Sequence, residues 1–213
     1  MDFYYMDISA PCRSIMLVAK AVGVTLNKKV LDVLKKEQMS QEFLAINPQH
    51  CIPTLVDGDL KLWESRAICC YLATRYGKDD TLYPNDPKIR VLIDRLLYFD
   101  MGTLYKRFGE YVYPVIFNDV KPDSEKLQSL HEALGWLEGF INGHDFAVGN
   151  NLTIADYVLI ASVDTFIETG IDISKYPNIK NWVQRCKTQM KDYESENGKG
   201  AKEFGAWVKP KLS

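Results

Sequence analysis

Residues 47–68, NPQHCIPTLVDGDLKLWESRAI, limit the possible folds of this chain more than any other stretch, because three structural signals fall in 22 positions. The first signal is the bond between Ile52 and Pro53. A bond before proline adopts the cis form at modest cost, so we expect a cis turn that aims the Ile52 backbone outward. The second signal is a β-hairpin, since the turn sequence at residues 57–59 separates apolar runs at residues 54–56 and 60–62.

The third signal is a helix start that follows Trp63 and Glu64. Ser65 is of a residue type that N-caps helices well, so we expect a helix over residues 66–76. Such a start places free backbone N–H groups, the positive end of the helix dipole and the Arg66 guanidinium side by side. Together these groups predict a binding site for a carboxylate.

Charge and composition exclude several classes of protein. The net charge of −2 and the pI near 6.0 argue against a nucleic-acid partner, and no basic run suggests one. No apolar run approaches the roughly 18 residues that span a bilayer, and no signal-peptide pattern follows Met1, so we expect a cytoplasmic protein without a membrane partner. The five cysteines are odd in number and lack metal-ligand spacing, which predicts free thiols and no metal site.

Signals for strands and helices alternate through the N-terminal part of the chain. An aromatic strand at residues 3–6 precedes a helix that stops at Gly23, and a second strand covers residues 27–34. A short helix at residues 41–46 then leads into the hairpin and helix described above. Interleaving of this kind predicts parallel strands joined by a right-handed crossover, to which the hairpin adds antiparallel strands. We therefore predict an α/β thioredoxin-like domain over residues 1–77.

A segment rich in glycine, proline and charge, GKDDTLYPNDP, begins at Gly77 and predicts a linker at residues 78–87. No strand-like alternation returns after it, so residues 88–213 are predicted to form an all-α domain. A long helical pattern in this domain is broken by two glycines, and further helices follow. The pattern covers residues 88–117 with breaks at Gly102 and Gly109, and the further helices cover residues 125–142, the segment from Thr153 onward and residues 177–190.

Thr153 and Asp156 carry the spacing of a helix capping box, and Leu152 and Tyr157 are placed to staple the turn. We expect Asp156 to be a buried capping carboxylate that contributes about 0.5–2 kcal/mol of stability. Helical spacing predicts that three aromatic residues lie in the core, and we expect two histidines to lie at the surface. The predicted core residues are Tyr98, Phe99 and Tyr111, and the predicted surface residues are His131 and His144.

The junction between the first strand and the first helix, SAPC at residues 9–12, is where thioredoxin-like redox proteins carry two cysteines. Here the first of the two positions is Ser9. A serine hydroxyl cannot form a mixed disulfide, but it can donate a hydrogen bond to the thiolate of a substrate, and the positive helix end would lower the pKa of that thiol. This interpretation predicts thiol activation. The alternative is that Ser9 only caps the helix.

Four motifs closely resemble those of the cytosolic glutathione transferases, and specifically of the insect delta class. They are SAPCRS at residues 9–14, NPQHCIPTLVD at residues 47–57, LWESRAI at residues 62–68 and LYFDMGTLY at residues 97–105. The resemblance covers nearly the whole chain. It implies the glutathione transferase fold, glutathione as co-substrate and a homodimer.

The resemblance also implies roles for individual residues. Ser9 would be the catalytic hydroxyl that stabilises the glutathione thiolate, Ile52 would pair its backbone with the cysteinyl part, and His50 would lie near the glycyl end. The full set implied for glutathione binding is Gln38, His50, Cys51, Ile52, Pro53, Glu64, Ser65 and Arg66. The family usually has histidine at the position of Gln38 and glycine at that of Ile8, and both departures lie close to the implied site.

A hydrophobic site for the electrophile is implied where the two domains meet. Its implied residues are Met6, Ala10, Pro11, Tyr105, Phe108, Tyr113, Ile116, Phe117 and Phe204. The alternative for the aromatic residues is that helical spacing places them in the core. An aromatic pocket of this kind implies loosely held apolar electrophiles with little hydrogen-bond selection.

These observations predict a glutathione transferase whose activated thiolate attacks apolar electrophiles in detoxification-type conjugation, with peroxide reduction as a side activity of the same thiolate. Two alternatives come from other classes. The first is a non-catalytic protein that binds hydrophobic ligands or glutathione adducts, in which Ile8 or Gln38 has weakened the thiol site. The second is a glutathione-dependent redox enzyme that uses Cys12.

Overall fold

The computed structural model describes residues 1–212, which form a small sheet followed and covered by helices. The strands are β1 (Asp2–Tyr5), β2 (Asn27–Val30), β3 (Thr54–Asp57) and β4 (Leu60–Trp63). The helices are α1 (Ala10–Val22), α2 (Gln41–Leu44), α3 (Ser65–Tyr76), α4 (Pro87–Phe99), α5 (Tyr105–Asn118), α6 (Ser124–Ile141), α7 (Ile154–Glu168), α8 (Pro177–Gln189) and α9 (Lys199–Leu212). A 3₁₀ turn at Glu37–Met39 and π-helical turns at Asp100–Leu104 and Glu194–Gly198 connect some of them.

The sheet has the order β2-β1-β3-β4. β1 and β2 pair in parallel, and Phe3 lies opposite Lys28. β3 runs antiparallel to both β1 and β4, and Leu55 lies opposite Phe3 on one side and Leu62 on the other. The predicted element order and both kinds of pairing are therefore confirmed, since α1 supplies the crossover between the two parallel strands.

Two predicted boundaries in this part of the chain are wrong. β2 ends at Val30 rather than at residue 34, because the Asp32 carboxylate accepts hydrogen bonds from the N–H groups of Leu34 and Lys35 and turns the chain. α3 begins at Ser65 itself, with Glu64 in the N-cap position. Ser65 therefore belongs to the first turn of the helix and does not cap it.

The long helical pattern that follows the linker is divided once. α4 and α5 are separated by the wide turn at Asp100–Leu104, which contains Gly102, so the break predicted there is confirmed. The break predicted at Gly109 is wrong, because Gly109 lies inside α5 and is buried. A Cβ atom at this position would lie 3.0 Å from the Tyr113 ring, so the glycine makes room for that side chain.

Helix α1 packs against helices from both halves of the chain. Its residues from Cys12 to Ala19 are all buried, because α3 packs on one side of it and α7 on another. It ends at Gly23, which adopts a left-handed conformation with φ of 78°, as the sequence predicts. α7 is buried over nearly its entire surface, and the chain therefore has a continuous core from the sheet to the last helix.

The predictions for individual side chains in the helical part had mixed outcomes. Tyr111 is buried and Phe99 packs edge-on against Phe140 with ring centroids 5.2 Å apart, but Tyr98 is 69% exposed, so its prediction as a core residue is wrong. His144 is exposed as predicted, whereas His131 is half-buried and stacks on Tyr176. α9, which carries Phe204, was not predicted as a separate helix.

The predicted capping carboxylate Asp156 is fully buried and accepts more hydrogen bonds than a cap requires. Its Oδ2 accepts from the N–H and the hydroxyl of Thr153, at 2.9 and 3.1 Å. Its Oδ1 accepts from the N–H of Ala147 at 2.8 Å and from Trp182 Nε1 at 2.9 Å. One side chain thus joins the start of α7 to the preceding loop and to α8.

We expect Asp156→Ala to lower the free energy of unfolding by about 3 kcal/mol or more, because the buried N–H groups of Ala147 and Trp182 lose their acceptor. This exceeds the 0.5–2 kcal/mol range given above for a cap alone. Urea unfolding measures it. Asp123→Ala is the matched control, since Asp123 caps α6 from an exposed position and its loss should cost about 1 kcal/mol. Equal losses of unfolding free energy in the two variants would show that Asp156 contributes no more than a helix cap.

Candidate functional site

Three loops come together at one end of the sheet, and the strand register explains why. Tyr4 lies opposite Thr54, so the continuation of β1 toward Ser9 runs beside the residues that precede Thr54, namely Ile52 and Pro53. Thr54 also lies opposite Trp63, so the start of α3 follows on the other side. The predicted thiol site, the proline turn and the predicted carboxylate site therefore share one edge.

Ser9 occupies the N-cap position of α1 with an extended backbone, φ −81° and ψ 113°. Its N–H donates to the carbonyl oxygen of Met6 at 3.1 Å, and its own carbonyl oxygen accepts from the N–H groups of Cys12 and Arg13 at 3.0 Å each. The Ser9 hydroxyl makes no capping hydrogen bond. The alternative in which this hydroxyl serves the helix is therefore not supported, and a half-buried donor lies at the positive end of the helix dipole.

The neighbouring Cys12 has no exposed surface. Burial raises the pKa of the Cys12 thiol to about 11, and a hydrogen bond with Ser9 lowers it by less. At neutral pH only roughly one molecule in 10⁴ would carry a thiolate there. The geometry thus gives no support to a redox enzyme that uses Cys12, and it leaves Ser9 as the reactive position of this loop.

The proline turn is held from inside by Asn47, which is fully buried. Its side-chain amide donates to the carbonyl oxygen of Cys51 at 3.1 Å and to Thr54 Oγ1 at 2.8 Å. The Ile52-Pro53 bond is cis, as predicted. Within residues 1–212, neither the N–H nor the C=O of Ile52 has a hydrogen-bond partner, so both are free to pair with an extended ligand.

At the start of α3, Glu64 adopts a left-handed conformation with φ of 69°, and its side chain makes no capping hydrogen bond. The first intrahelical bond runs from the N–H of Ile68 to the carbonyl oxygen of Glu64. The N–H groups of the first turn therefore remain free for an anion. Ser65 is buried, and its hydroxyl accepts a hydrogen bond from Arg66 at 2.9 Å.

The Arg66 side chain is less free than the sequence suggests, because it forms a short ion pair with the buried carboxylate of Asp100. Burial is the largest single effect on the pKa of Arg66 and lowers it, but the charge of Asp100, its hydrogen bond and smaller nearby contributions together raise it overall. The guanidinium also faces the Tyr105 ring at 6.0 Å. The ion pair of Arg66 thus links the start of α3 to the wide turn between α4 and α5. The positive charge of Arg66 remains close to the predicted carboxylate site.

The remaining residues predicted for glutathione binding differ in exposure. His50 is exposed with φ of 43°, Cys51 is half-buried and Pro53 is buried. The Gln38 amide donates to the carbonyl oxygen of Val33 at 3.4 Å, while its Oε1 is buried and lacks a partner among residues 1–212. The side chain of Gln38 is therefore folded back against its own loop.

The predicted aromatic pocket residues form a connected series of rings that links α5, α7 and α9. Phe108 has no exposed surface and stacks on Phe166 at 4.4 Å, so it supports the site from behind. Tyr105 and Tyr113 are half-buried and share a hydrogen bond of 2.8 Å between their hydroxyl groups. Ile116, Ala10 and Phe204 are buried, Met6 and Pro11 are half-buried, and Phe117 is 58% exposed.

A cleft of about 360 Å³ opens between the loop before Ser9, the end of β2 and α9. It is lined by Met6, Asp7, Ile8, Val30, Asp32, Leu34, Glu203 and Trp207. Sequence analysis had assigned only Met6 of this set to the hydrophobic site. Trp207 lies 5.9 Å from Phe204 and 6.1 Å from Phe117 between ring centroids, and its spacing of three residues from Phe204 is the signal that could have identified it.

The part of the chain that the structure describes contains neither a candidate metal site nor a candidate membrane-spanning helix. Among residues 1–212 there is no group of three or more His, Cys, Asp or Glu side chains that could hold a metal ion. Over the same residues, no helix combines the length and the apolar character that crossing a bilayer would require.

Two family models match the chain. The one described as the glutathione S-transferase N-terminal domain matches residues 2–74, and the one described as the glutathione S-transferase C-terminal domain matches residues 105–189. The first contains the three loops of the site, and the second contains α5, α6, α7 and α8.

Solved structures agree with this match over the whole chain. A delta-class glutathione transferase of Nilaparvata lugens is 46% identical with a TM-score of 0.96, and the alignment covers 99% of each chain. An epsilon-class glutathione S-transferase of the housefly, Musca domestica, is 36% identical with a TM-score of 0.93, covering 99% of this chain and 97% of that one. A glutathione transferase homologue of Drosophila mojavensis, solved with bound glutathione, is 35% identical with a TM-score of 0.93, covering 99% and 96%.

We expect iodoacetamide at pH 8 to label Cys51 first in the native protein, because Cys51 is half-buried whereas Cys12, Cys69 and Cys186 are buried. Cys70 is also half-buried, but burial raises the pKa of its thiol to about 11, so it should react more slowly. Peptide mass spectrometry over a time course measures the order, and labelling in urea is the control. Early labelling of Cys12 would restore the redox alternative.

Proposed function

The chain belongs to the glutathione transferase family and is an enzyme that uses glutathione as co-substrate, and on that premise we propose that Ser9 activates the glutathione thiol. The observation that carries this proposal is the Ser9 hydroxyl at the N-terminus of α1, which is not engaged in capping the helix. A hydrogen bond from this hydroxyl to the sulfur favours the thiolate and lowers the pKa of the thiol. The thiol proton passes to solvent. The thiolate then forms a bond to the electrophilic carbon, and the leaving group departs with the electrons of the bond that breaks.

The free backbone of Ile52 supports the proposed placement of glutathione. Its N–H and C=O can pair with the cysteinyl part of the tripeptide, which brings the sulfur toward Ser9 on the same sheet edge. The free N–H groups at the start of α3, with Glu64, Ser65 and Arg66, would hold the γ-glutamyl end. Pro53 would present the Ile52 backbone through its cis bond, His50 and Gln38 would lie toward the glycyl end, and Cys51 would lie near the bound tripeptide.

We propose that the electrophile lies between Ser9 and the exposed side of the aromatic series. Tyr105, Tyr113 and Phe117 would contact it, with Trp207 at the open end of the cleft. Aromatic faces supply most of the proposed contacts, and the Tyr105 and Tyr113 hydroxyls bind each other, so we expect apolar electrophiles held mainly by burial. Reduction of an apolar peroxide by the same thiolate fits the same geometry.

Ser9→Ala should lower turnover about 10²–10³-fold, because the variant loses a single hydrogen-bond donor to the thiolate, while glutathione affinity changes little. Conjugation of glutathione to a chloronitroaromatic compound measures turnover, and calorimetry measures affinity. Ser14→Ala is the matched control, since Ser14 is a buried serine of the same helix that donates to the carbonyl oxygen of Pro11.

An unchanged rate in Ser9→Ala would remove Ser9 from the mechanism. Wild-type protein that binds glutathione without turning over any electrophile or peroxide would instead favour a non-catalytic binder. In that case Gln38, whose amide is folded back against its own loop, and Ile8 would be the first residues to replace, by the histidine and the glycine that are usual in the family.

We further propose that residues 1–77 and 88–213 act as two domains joined by residues 78–87, and that the protein works in the cytoplasm as a homodimer. Its free cysteines suit a reducing compartment. One face of α4 and the following turn exposes large apolar side chains: Val91 at 60%, Tyr98 at 69% and Met101 at 44%. Exposed side chains of this size along one helix are typical of an interface.

We therefore expect Tyr98→Glu to shift the protein toward a monomer, because a buried carboxylate without a partner opposes association. Sedimentation velocity at micromolar concentration measures the change. Trp136→Glu is the control, since Trp136 is an aromatic residue that is 41% exposed on α6. A monomeric wild type, or a dimer that Tyr98→Glu leaves intact, would refute this interface.

A further inference from the structure

Arg13 lies one helical turn after Ser9 and has no exposed surface. Its backbone N–H donates to the carbonyl oxygen of Ser9 at 3.0 Å. Its guanidinium donates to the carbonyl oxygens of Ile8 at 3.2 Å and Asp7 at 3.4 Å. One residue therefore binds the carbonyl oxygens of three consecutive residues, Asp7, Ile8 and Ser9.

The rest of the guanidinium binds the helical domain. Nε donates to Asn197 Oδ1 at 3.0 Å, and the second terminal nitrogen donates to the carbonyl oxygen of Ala161 at 3.3 Å and to the Thr165 hydroxyl. With the two loop carbonyls, these make five acceptors for the five N–H donors of a guanidinium. Every donor has a partner, so the side chain has one well-defined orientation.

Asn197 extends the network to a buried carboxylate. Its amide donates to Asp164 Oδ2 and to the Tyr193 hydroxyl, both at 2.9 Å. Lys187 forms an ion pair of 2.7 Å with Asp164 Oδ1. The buried guanidinium of Arg13 thus shares the one carboxylate of Asp164, which it reaches only through Asn197, with the ammonium of Lys187, and its five hydrogen bonds supply the rest of its stabilisation.

The loop before Ser9 is held from its other side by α9. A Cβ atom at Gly200 would lie only 2.1 Å from the carbonyl oxygen of Asp7 and 2.9 Å from Cδ of Arg13. No side chain larger than hydrogen fits there without moving the loop or the helix. The Asp7–Ile8 backbone is therefore clamped between Arg13 and the first turn of α9.

We propose that Arg13 is a positioning residue for catalysis: oriented by Asn197, it holds the Asp7–Ile8 backbone against Gly200 so that the Ser9 hydroxyl meets the glutathione sulfur. This inference rests on the proposed role of Ser9. It means that the segment from Asn197 to Gly200, far from Ser9 in sequence, sets the hydrogen bond to the thiolate. A network that only joined the two domains would affect stability alone.

The test is the pKa of the glutathione thiol bound to the enzyme, followed by the ultraviolet absorbance of the thiolate without electrophile. Arg13→Lys keeps the positive charge but cannot bridge the acceptors, and Gly200→Ala keeps the guanidinium but displaces the Asp7 carbonyl and the Arg13 side chain that packs beside it. In both variants we expect a higher thiol pKa, a fall in kcat/KM of about 10-fold to 100-fold at pH 6.5, and a KM for glutathione within about twofold of wild type.

Gly205→Ala is the matched control for the glycine variant. Gly205 lies in the same helix, and a Cβ there would lie 2.4 Å from the carbonyl oxygen of Glu168, so the substitution makes a similar backbone clash away from Ser9. It should lower stability and leave the thiol pKa at its wild-type value. A thiol pKa that rises equally in Gly205→Ala would overturn the proposal.

A double-mutant cycle separates this inference from the proposed function. Because Arg13 acts through Ser9, Arg13→Lys should not raise the thiol pKa further in the Ser9→Ala background. If Ser9→Ala raises the thiol pKa but folded Gly200→Ala and Arg13→Lys do not, the positioning role is refuted and the role of Ser9 stands. If Ser9→Ala itself leaves the thiol pKa unchanged, the proposed function fails first. Should Arg13→Lys not fold, Gly200→Ala decides the question alone.

Discussion

The burial of α1 is the constraint on which the rest of the molecule depends. This helix joins the first two strands, packs against α3 on one side and α7 on another, and so belongs to both halves of the chain. A helix enclosed in this way cannot shift without disturbing the core on both sides. Its N-terminus is therefore a fixed point, and Ser9 takes its position from the packing of the whole protein rather than from its own loop.

Features that depend on a few residues adjacent in sequence were predictable from the sequence. The left-handed glycine at the end of α1, the hairpin turn, the proline turn and the capping box each follow from the chemistry of a few consecutive residues, and each is present. The convergence of the three loops follows from them, because a known strand order fixes which chain segments lie side by side.

Pairs of residues distant in sequence were not predictable in this way. Arg66 was expected to face a ligand freely, but Asp100, which is 34 residues away, binds it. Arg13 and Asn197 are 184 residues apart, and nothing in either local pattern indicates that they meet. Helix α9 was missed as an element although its packing completes the site, and Tyr98 shows that helical spacing alone does not reveal whether an apolar face meets the core or solvent.

The π-helical turn at Asp100–Leu104 has a consequence for how this chain can change in length. A π turn is equivalent to one extra residue inserted into an α-helix. Because the wide turn absorbs the extra residue, deleting one residue there would restore regular winding and leave α5 facing much as it does now. An insertion within α4, where no such turn absorbs it, would instead rotate the following helix by about 100°, and Tyr105 would point away from Arg66. The turn at Asp100–Leu104 is thus the place in this pair of helices that best accommodates a change of one residue in length.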